Sequence, residues 1–328
     1  MTFKVLISAP YMLPVVERFR ERFTRAGVAL CVAEVRERLE EEELLQLVGD
    51  VDGVICGDDR FSERVLTAAV PRLRVISKWG TGIDTIDLAA AARLGVRVCN
   101  TPNAFTDAVA DTTLGYVLNF ARRLNEMTDR MREGEWDKLP SRSLREMTIG
   151  IVGVGNIGSA VAKRAAAFGM QILGNDIRPI SATIVKETGL VQVVLDELLS
   201  RADFVTLHCD LNPTSRHLMN AGRFASMQPT GVMINTARGP IVDEANLIAA
   251  LQNGSIAGAA LDVFEREPLP LDSPLRNMKN VSLAPHNANS SPSAWEAVHE
   301  STIRNLLEGL GITLPAVQSA NSKGEGHA

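Results

Sequence analysis

Short apolar runs alternate along the chain with longer segments whose apolar residues recur three and four positions apart. This switching between strand and helix periods is the pattern of parallel sheets with crossover helices. Lys4-Val5-Leu6-Ile7-Ser8 opens a first series as a strand. A helix over Pro14–Ala26 follows, with Gly27 where a left-handed residue commonly ends a helix. Further strands are expected at Val28–Ala33, Gly53–Cys56, Leu73–Ser77 and Val96–Cys99, with Glu34–Glu43 a solvated turn and helix start. A second series begins near Thr148. Its strands read at Thr148–Gly153, Gln171–Asn175, Asp203–His208, Gly231–Asn235, Ala257–Asp262 and Val281–Ala284, and its helices at Ile157–Phe168, Asp196–Arg201 and Asp243–Gln252. Six strands with crossover helices complete a doubly wound α/β unit. Between the series, Thr106–Glu133 reads as one long helix with Leu114, Val117, Leu118 and Ala121 on one face, and Met131–Ser143 reads as an exposed loop.

Length and composition narrow the class. A chain of 328 residues, 45% hydrophobic and 22% charged, suggests two globular domains rather than a disordered protein. A net charge of −5 gives no global basic footprint for nucleic acid. No apolar run approaches the ~20 residues of a membrane helix. Pro10 and Pro14 break the first apolar run and Glu17 and Arg18 follow it, so no signal peptide is expected. Cys31, Cys56, Cys99 and Cys209 are scattered without a CxxC, as reduced thiols of a cytoplasmic protein would be. The small, polar stretch 316–328 is expected to be a disordered tail.

The most specific local signal is Gly153-Val154-Gly155-Asn156-Ile157-Gly158, a GxGxxG that follows the apolar run Ile149–Val152 and opens an alanine-rich helix. Gly153 suits the tight turn, Gly155 lets a pyrophosphate approach the backbone, and Gly158 lets the helix lie close on the strand. The helix N-terminus offers N–H groups and partial positive charge to the phosphates. Asp176 ends the next strand, 18 residues after Gly158. Its carboxylate can accept from both adenosine ribose hydroxyls and repels a 2′-phosphate, which favours NAD over NADP, although Arg178 weakens the discrimination.

Three more residues lie just beyond expected strands: Arg238, an acid at Glu265 or Glu267, and His286. In open α/β sheets the carboxyl ends of strands border the ligand crevice. An arginine holds a carboxylate and polarises a carbonyl without losing its charge. A histidine exchanges a proton near neutral pH, and a neighbouring carboxylate favours its charged form. Together these groups suit interconversion of a 2-keto acid and a 2-hydroxy acid. His208 also ends a strand and reads as lining the cofactor edge or as structural, whereas His217, His299 and His327 read as surface or helix-face residues. No histidine pair has metal-ligand spacing, so no metal is expected.

Asn235-Thr236-Ala237-Arg238-Gly239, the run Ala260–Pro268 with Asp262, Glu265 and Glu267, and Ala284-Pro285-His286 follow the GxGxxG in order. With these motifs residues 1–315 resemble the D-isomer-specific 2-hydroxyacid dehydrogenases, in particular phosphoglycerate dehydrogenases and hydroxypyruvate or glyoxylate reductases. The resemblance implies an α/β protein of two doubly wound domains, a Rossmann NAD-binding domain and a flavodoxin-like substrate domain. It selects Glu267 over Glu265 as the partner of His286, with Arg238 as the third catalytic residue. It implies that Gly153, Gly155, Asn156, Ile157, Gly158, Asp176, His208, Thr236, Ala237 and Asp262 bind the cofactor, Asp262 through the nicotinamide carboxamide. Lys78-Trp79-Gly80-Thr81-Gly82-Ile83-Asp84 resembles the family's glycine-rich turn, so Thr81 and Gly82 are expected to bind the substrate carboxylate through backbone N–H groups. Asn103 and Arg60 are further substrate candidates, Arg60 for a phosphate. Asn287–Ser291 departs from the family's Gly/Ala-rich stretch, and Asp210 stands where proline is common.

The expected division is 1–102 with 288–315 as substrate domain and 103–287 as NAD-binding domain, the two crossings acting as a hinge. A homodimer is expected through the helix after Thr106, with Trp136 at the interface. Formate dehydrogenase pairs its histidine with glutamine and phosphite dehydrogenase carries lysine at the position of Thr81, so neither fits. A dinucleotide-sensing corepressor on the same fold is the alternative to an NAD-dependent enzyme.

Overall fold

The computed structural model describes residues 2–312; the expected tail at 316–328 lies outside them. Two compact units are present, one of residues up to Thr101 and from Glu296 onward, the other Pro102–Trp295. The second unit thus runs past the boundary expected at 287. The Ala288 N–H donates to Asp262 Oδ2 at 2.9 Å, which ties this segment to the strand end before it.

In the first unit β1 (Phe3–Ile7), α1 (Val16–Arg25), β2 (Val28–Val32), α2 (Glu41–Leu47), β3 (Gly53–Cys56), α3 (Glu63–Ala69), β4 (Val75–Lys78), α4 (Leu88–Arg93) and β5 (Arg97–Cys99) follow in order. The sheet is parallel with order β2-β1-β3-β4-β5, the flavodoxin-like winding. Every residue of β3 and β4 is buried, as expected for strands covered on both faces. Leu44, Phe61, Val65 and Leu66 cover one face. The final helix covers the other: a Cβ on Gly309 would lie 2.4 Å from a Val75 methyl, so only glycine allows that approach. Ser62 and Asp87 cap α3 and α4 by accepting N–H bonds from Val65 and Ala90.

The second unit contains α5 (Thr106–Arg122), α6 (Leu124–Arg132), β6 (Thr148–Val152), α7 (Asn156–Ala167), β7 (Gln171–Asn175), α8 (Ala182–Thr188), β8 (Val191–Gln192), α9 (Leu195–Arg201), β9 (Phe204–Leu207), α10 (Ala221–Ala225), β10 (Val232–Asn235), α11 (Glu244–Gln252), β11 (Gly258–Leu261) and β12 (Val281–Leu283). The last helix, α12 (Pro292–Gly309), begins in this unit. Among the described residues its sheet has seven parallel strands in the order β12-β11-β10-β9-β6-β7-β8. This is the Rossmann winding with one strand added beyond the sixth. The expectation of six strands misses β8, because two exposed residues bury no face and leave no periodic signal.

Two further expectations are corrected. Thr106–Glu133 is two helices, broken at Arg123, which takes a left-handed φ of 51°. The Asn119 side-chain carbonyl accepts the Asn125 N–H at 3.1 Å and so caps the start of α6, a contact no periodicity reveals. Leu114, Val117 and Ala121, expected to face a second subunit, are instead buried in the core of their own unit with Ile149, Ile151 and Val161. The exposed apolar side chains lie further on, at Leu124, Met131 and Trp136. No described helix is long and apolar enough to cross a membrane. All four cysteines are free.

Candidate active site

The turn after β6 is shaped by close contacts. Gly153 has φ +87°, and a Cβ there would lie 2.5 Å from the Cys209 backbone nitrogen. A Cβ on Gly158 would lie 2.1 Å from the Gly153 carbonyl oxygen, so side chains are excluded at both positions. Gly155 differs, since a Cβ there would meet nothing within 4 Å. It is the N-cap of α7, with no side chain closing the helix end. Asn156 and Ile157 form the first turn, and the Asn156 amide donates to Asn103 Oδ1, which places Asn103 beside the glycine loop. Asp176 accepts from the Val154 N–H at 2.8 Å and the Arg178 N–H at 2.9 Å, so it also braces the loop. His208 Nε2 pairs with Thr206 Oγ1 at 2.9 Å, and its buried Nδ1 has no hydrogen-bond partner among the described residues. Burial pulls the His208 pKa down to about 3, which keeps the ring neutral. Open space over Gly155, an uncapped helix N-terminus and an orphaned ring nitrogen fit a dinucleotide lying on this loop.

Three neighbouring strands position the other groups. Beyond β10, Asn235 makes an Asx turn: its Oδ1 accepts the Ala237 N–H at 3.0 Å and its Nδ2 donates to the Arg238 carbonyl at 2.9 Å. Thr236 is buried, its hydroxyl 3.3 Å from that of Thr113. A Cβ on Gly239 would lie 1.8 Å from the Phe264 carbonyl oxygen, so the Arg238 turn interlocks with the loop after β11. In that loop the Phe264 N–H donates to Glu267 Oε1 at 3.0 Å. The other oxygen, Oε2, lies 3.1 Å from His286 Nδ1.

Glu265, the sequence competitor of Glu267, instead has its Oε1 2.7 Å from His217 Nε2. His286 has φ 52°, a strained conformation for a non-glycine residue. Asp262 imposes it: its carbonyl accepts the His286 N–H at 2.7 Å, and its carboxylate takes the N–H groups of Asn287 at 2.7 Å and Ala288 at 2.9 Å. Burial pushes the Asp262 pKa up while these N–H bonds oppose the shift. Expected as a carboxamide contact, Asp262 is 1% exposed and spends both carboxylate oxygens on holding the histidine loop. The departure at Asn287–Ser291 belongs to the same loop, closed by a 2.7 Å bond from Ser290 Oγ to Asn287 Oδ1.

In the first unit the turn after β4 has its carbonyls tied down. Trp79 O accepts from Lys78 Nζ at 3.1 Å, Gly80 O from the Thr101 N–H at 2.9 Å, and Thr81 O from Asn100 Nδ2 at 2.6 Å. Among the described residues the N–H groups of Thr81 and Gly82 have no assigned acceptor. Arg60 is ion-paired with Glu40 at 2.7 Å. His299, read as a surface or helix-face residue, is 2% exposed and accepts the Trp79 indole N–H at Nδ1 over 3.0 Å. Only tertiary packing brings these two residues together, 220 positions apart.

Comparison with known proteins agrees with this geometry. The family model for the D-isomer specific 2-hydroxyacid dehydrogenase, NAD binding domain matches residues 114–288. Glyoxylate reductase of Thermofilum pendens is 42% identical over 283 residues, covering 84% of this chain and 83% of that protein. D-3-phosphoglycerate dehydrogenase of Methanocaldococcus jannaschii is 38% identical over 84% of this chain and 53% of its own length. The crystal structure of D-lactate dehydrogenase from Aquifex aeolicus, complexed with NAD and lactic acid, superposes with a TM-score of 0.83 at 27% identity, covering 95% of this chain and all of that one. These relatives are enzymes by name, which supports the dehydrogenase over the corepressor reading. With a doubly wound nucleotide unit, a glycine loop that leaves room for a dinucleotide and a matching family model, the chain belongs to the D-isomer-specific 2-hydroxyacid dehydrogenases, NAD-dependent oxidoreductases.

Proposed function

We propose that the chain reduces a small 2-keto acid of the glyoxylate or hydroxypyruvate type to the corresponding D-2-hydroxy acid. The observation that carries this reading is the 3.1 Å pair between His286 Nδ1 and Glu267 Oε2, next to the Arg238 turn. NADH, when bound, supplies the hydride. An ionised carboxylate only accepts hydrogen bonds, so the Nδ1 proton stays on Glu267's side of the ring. The other nitrogen, Nε2, then carries the proton that goes to the developing alkoxide. Arg238 engages the substrate carboxylate and polarises the keto oxygen, and the Thr81 and Gly82 N–H groups are assigned to carboxylate binding. In this reading Asn103 reaches the substrate from beside the glycine loop. Glu40 already neutralises Arg60, which favours an unphosphorylated substrate over a phosphoglycerate-like one.

The test is NADH consumption with glyoxylate, hydroxypyruvate, pyruvate and phosphohydroxypyruvate. Turnover is expected with the first two. Tight NADH binding without turnover of any of the four would defeat the proposal.

We further propose a homodimer built on α6 and the loop after it, where Trp136 is 85% exposed and Leu124 and Met131 are also exposed. Sedimentation at micromolar concentration should give twice the chain mass, and Met131→Asp with Trp136→Asp should halve it. Four free cysteines and a requirement for NAD fit a cytoplasmic enzyme.

A further inference from the structure

Trp79 stands immediately before the turn whose N–H groups are proposed to bind substrate. It is 3% exposed and held on several sides. Its backbone N–H donates to the Cys56 carbonyl at the end of β3, at 2.8 Å. Its carbonyl takes the Lys78 ammonium, which also pairs with Asp58 at 3.0 Å. Tyr11 lies against the indole with ring centres 5.0 Å apart. The one polar atom of the indole is satisfied by His299 Nδ1 at 3.0 Å.

His299 is in turn fixed by the seating of α12. Ser77 Oγ, two residues before Trp79, donates to the Thr302 carbonyl at 2.8 Å. From α1, Arg18 makes a bidentate pair with Glu296, and Arg22 pairs with Glu300, on either side of His299. An indole N–H is a donor only, so Nδ1 must be an unprotonated acceptor. The contact therefore has direction as well as distance, which an apolar residue at position 299 would not provide.

We propose that His299 is a positioning residue for the substrate: by accepting the Trp79 indole N–H it fixes the Trp79–Gly82 turn, so that the Thr81 and Gly82 N–H groups meet the carboxylate of a 2-keto acid. The proposal rests on reading that turn as the carboxylate site. The glycine loop, Asp176 and the Glu267–His286 pair belong to the other unit, so NADH affinity serves as the control readout.

The experiment is steady-state kinetics of the full chain at saturating NADH, with glyoxylate or whichever keto acid of the panel is turned over fastest. Trp79→Phe keeps the ring and removes the donor. His299→Leu removes the acceptor, and His299→Gln returns an acceptor as a carbonyl. Loss of one buried hydrogen bond corresponds to about a 3–10-fold change. KM for the keto acid should rise by that factor in Trp79→Phe and His299→Leu, with kcat within about twofold and NADH affinity unchanged. The double variant should be no worse than the poorer single one, and His299→Gln should recover most of the KM. Wild-type KM in both single variants, or effects that multiply in the double variant, would overturn the proposal. A parallel fall in kcat and NADH affinity would also overturn it, because a general loss of folding then explains the KM. Gly82→Val separates the underlying reading: an unchanged KM there removes the carboxylate turn and this proposal with it. A raised KM there beside wild-type values in Trp79→Phe and His299→Leu removes only the positioning role.

Discussion

At the scale of single residues, Glu267 acts through which of its oxygens is already engaged. Oε1 takes the Phe264 N–H and Oε2 faces His286. In Glu267→Gln the Phe264 N–H holds the amide oxygen, which turns the NH2 group toward His286 Nδ1. Two donors cannot face each other, so the variant favours the neutral ring with Nδ1 unprotonated. The alkaline limb of the keto-acid reduction profile should move to lower pH, and hydroxy-acid oxidation should also lose rate, because that neutral ring carries its proton on Nε2 and leaves no base facing the substrate. Superimposable pH–rate curves would show that the carboxylate is not coupled to His286. His286→Ala should be worse, by about 10²–10⁴-fold in kcat, because the proposed general acid itself is gone. Asp176 is the proposed ribose acceptor and also braces Val154. Asp176→Ala should therefore raise KM for NADH and narrow the preference over NADPH, measured as the ratio of kcat/KM for the two cofactors. A wild-type preference for NADPH would contradict the assigned role.

Among the elements, glycines divide by what surrounds them. Gly115 lies exposed within α5, with nothing within 4 Å of a built Cβ. Gly115→Ala should stabilise by about 0.5–1 kcal/mol, since glycine gives up more backbone entropy in a helix than alanine. Gly309→Ala forces a methyl to 2.4 Å from Val75 and should destabilise by about 1–3 kcal/mol. Denaturant midpoints of the two variants should move in opposite directions; equal shifts would mean that the α12 contact on β4 is looser than 2.4 Å implies. The break between α5 and α6 follows the same logic of local contacts. The Asn119 side chain supplies the cap that Arg123, in a left-handed conformation, cannot.

Over the whole molecule, buried histidines set the response to acid. Burial holds His208 at about 3 and His299 below its ordinary 6.5. Between 6.5 and those folded values the unfolded chain binds protons that the folded chain does not. The stability contributed is complete above pH 6.5 and is lost as pH falls, by about 1.4 kcal/mol per pH unit for a fully buried group such as His208. Asp59 and Asp262 are pushed up by burial and act in the opposite sense, gaining stability as pH falls toward the unfolded value of 3.8. They oppose the histidines from 3.8 up to their raised folded values. Urea midpoints should fall steadily from about pH 7 to about pH 5, and His208→Asn should flatten the slope. A midpoint independent of pH over that range would show that His208 is solvated and titrates normally.

The sequence by itself determined every strand but β8, the helices α1, α7, α9 and α11, and the chemical inventory, because each leaves a local mark. A strand buried on both faces is a continuous apolar run, as in β3 and β4, and a GxGxxG followed by an acid 18 residues on marks its own turn and helix. What required tertiary structure was the set of contacts behind each choice between residues of the same type. Glu265 and Glu267 differ by two positions in one loop; the family resemblance selects Glu267, and the packing of Gly239 on Phe264, with His217 and His286 in their places, supplies the contacts that separate the two acids. His299 reads as a helix-face residue until Trp79, 220 positions away, is brought to its Nδ1. The apolar face of α5 is equally compatible with a partner subunit and with its own core, and the packing of Leu114, Val117 and Ala121 against β6 and α7 selects the core. Burial and hydrogen-bond direction depend on what approaches from elsewhere in the chain, and periodicity along the chain carries no record of it.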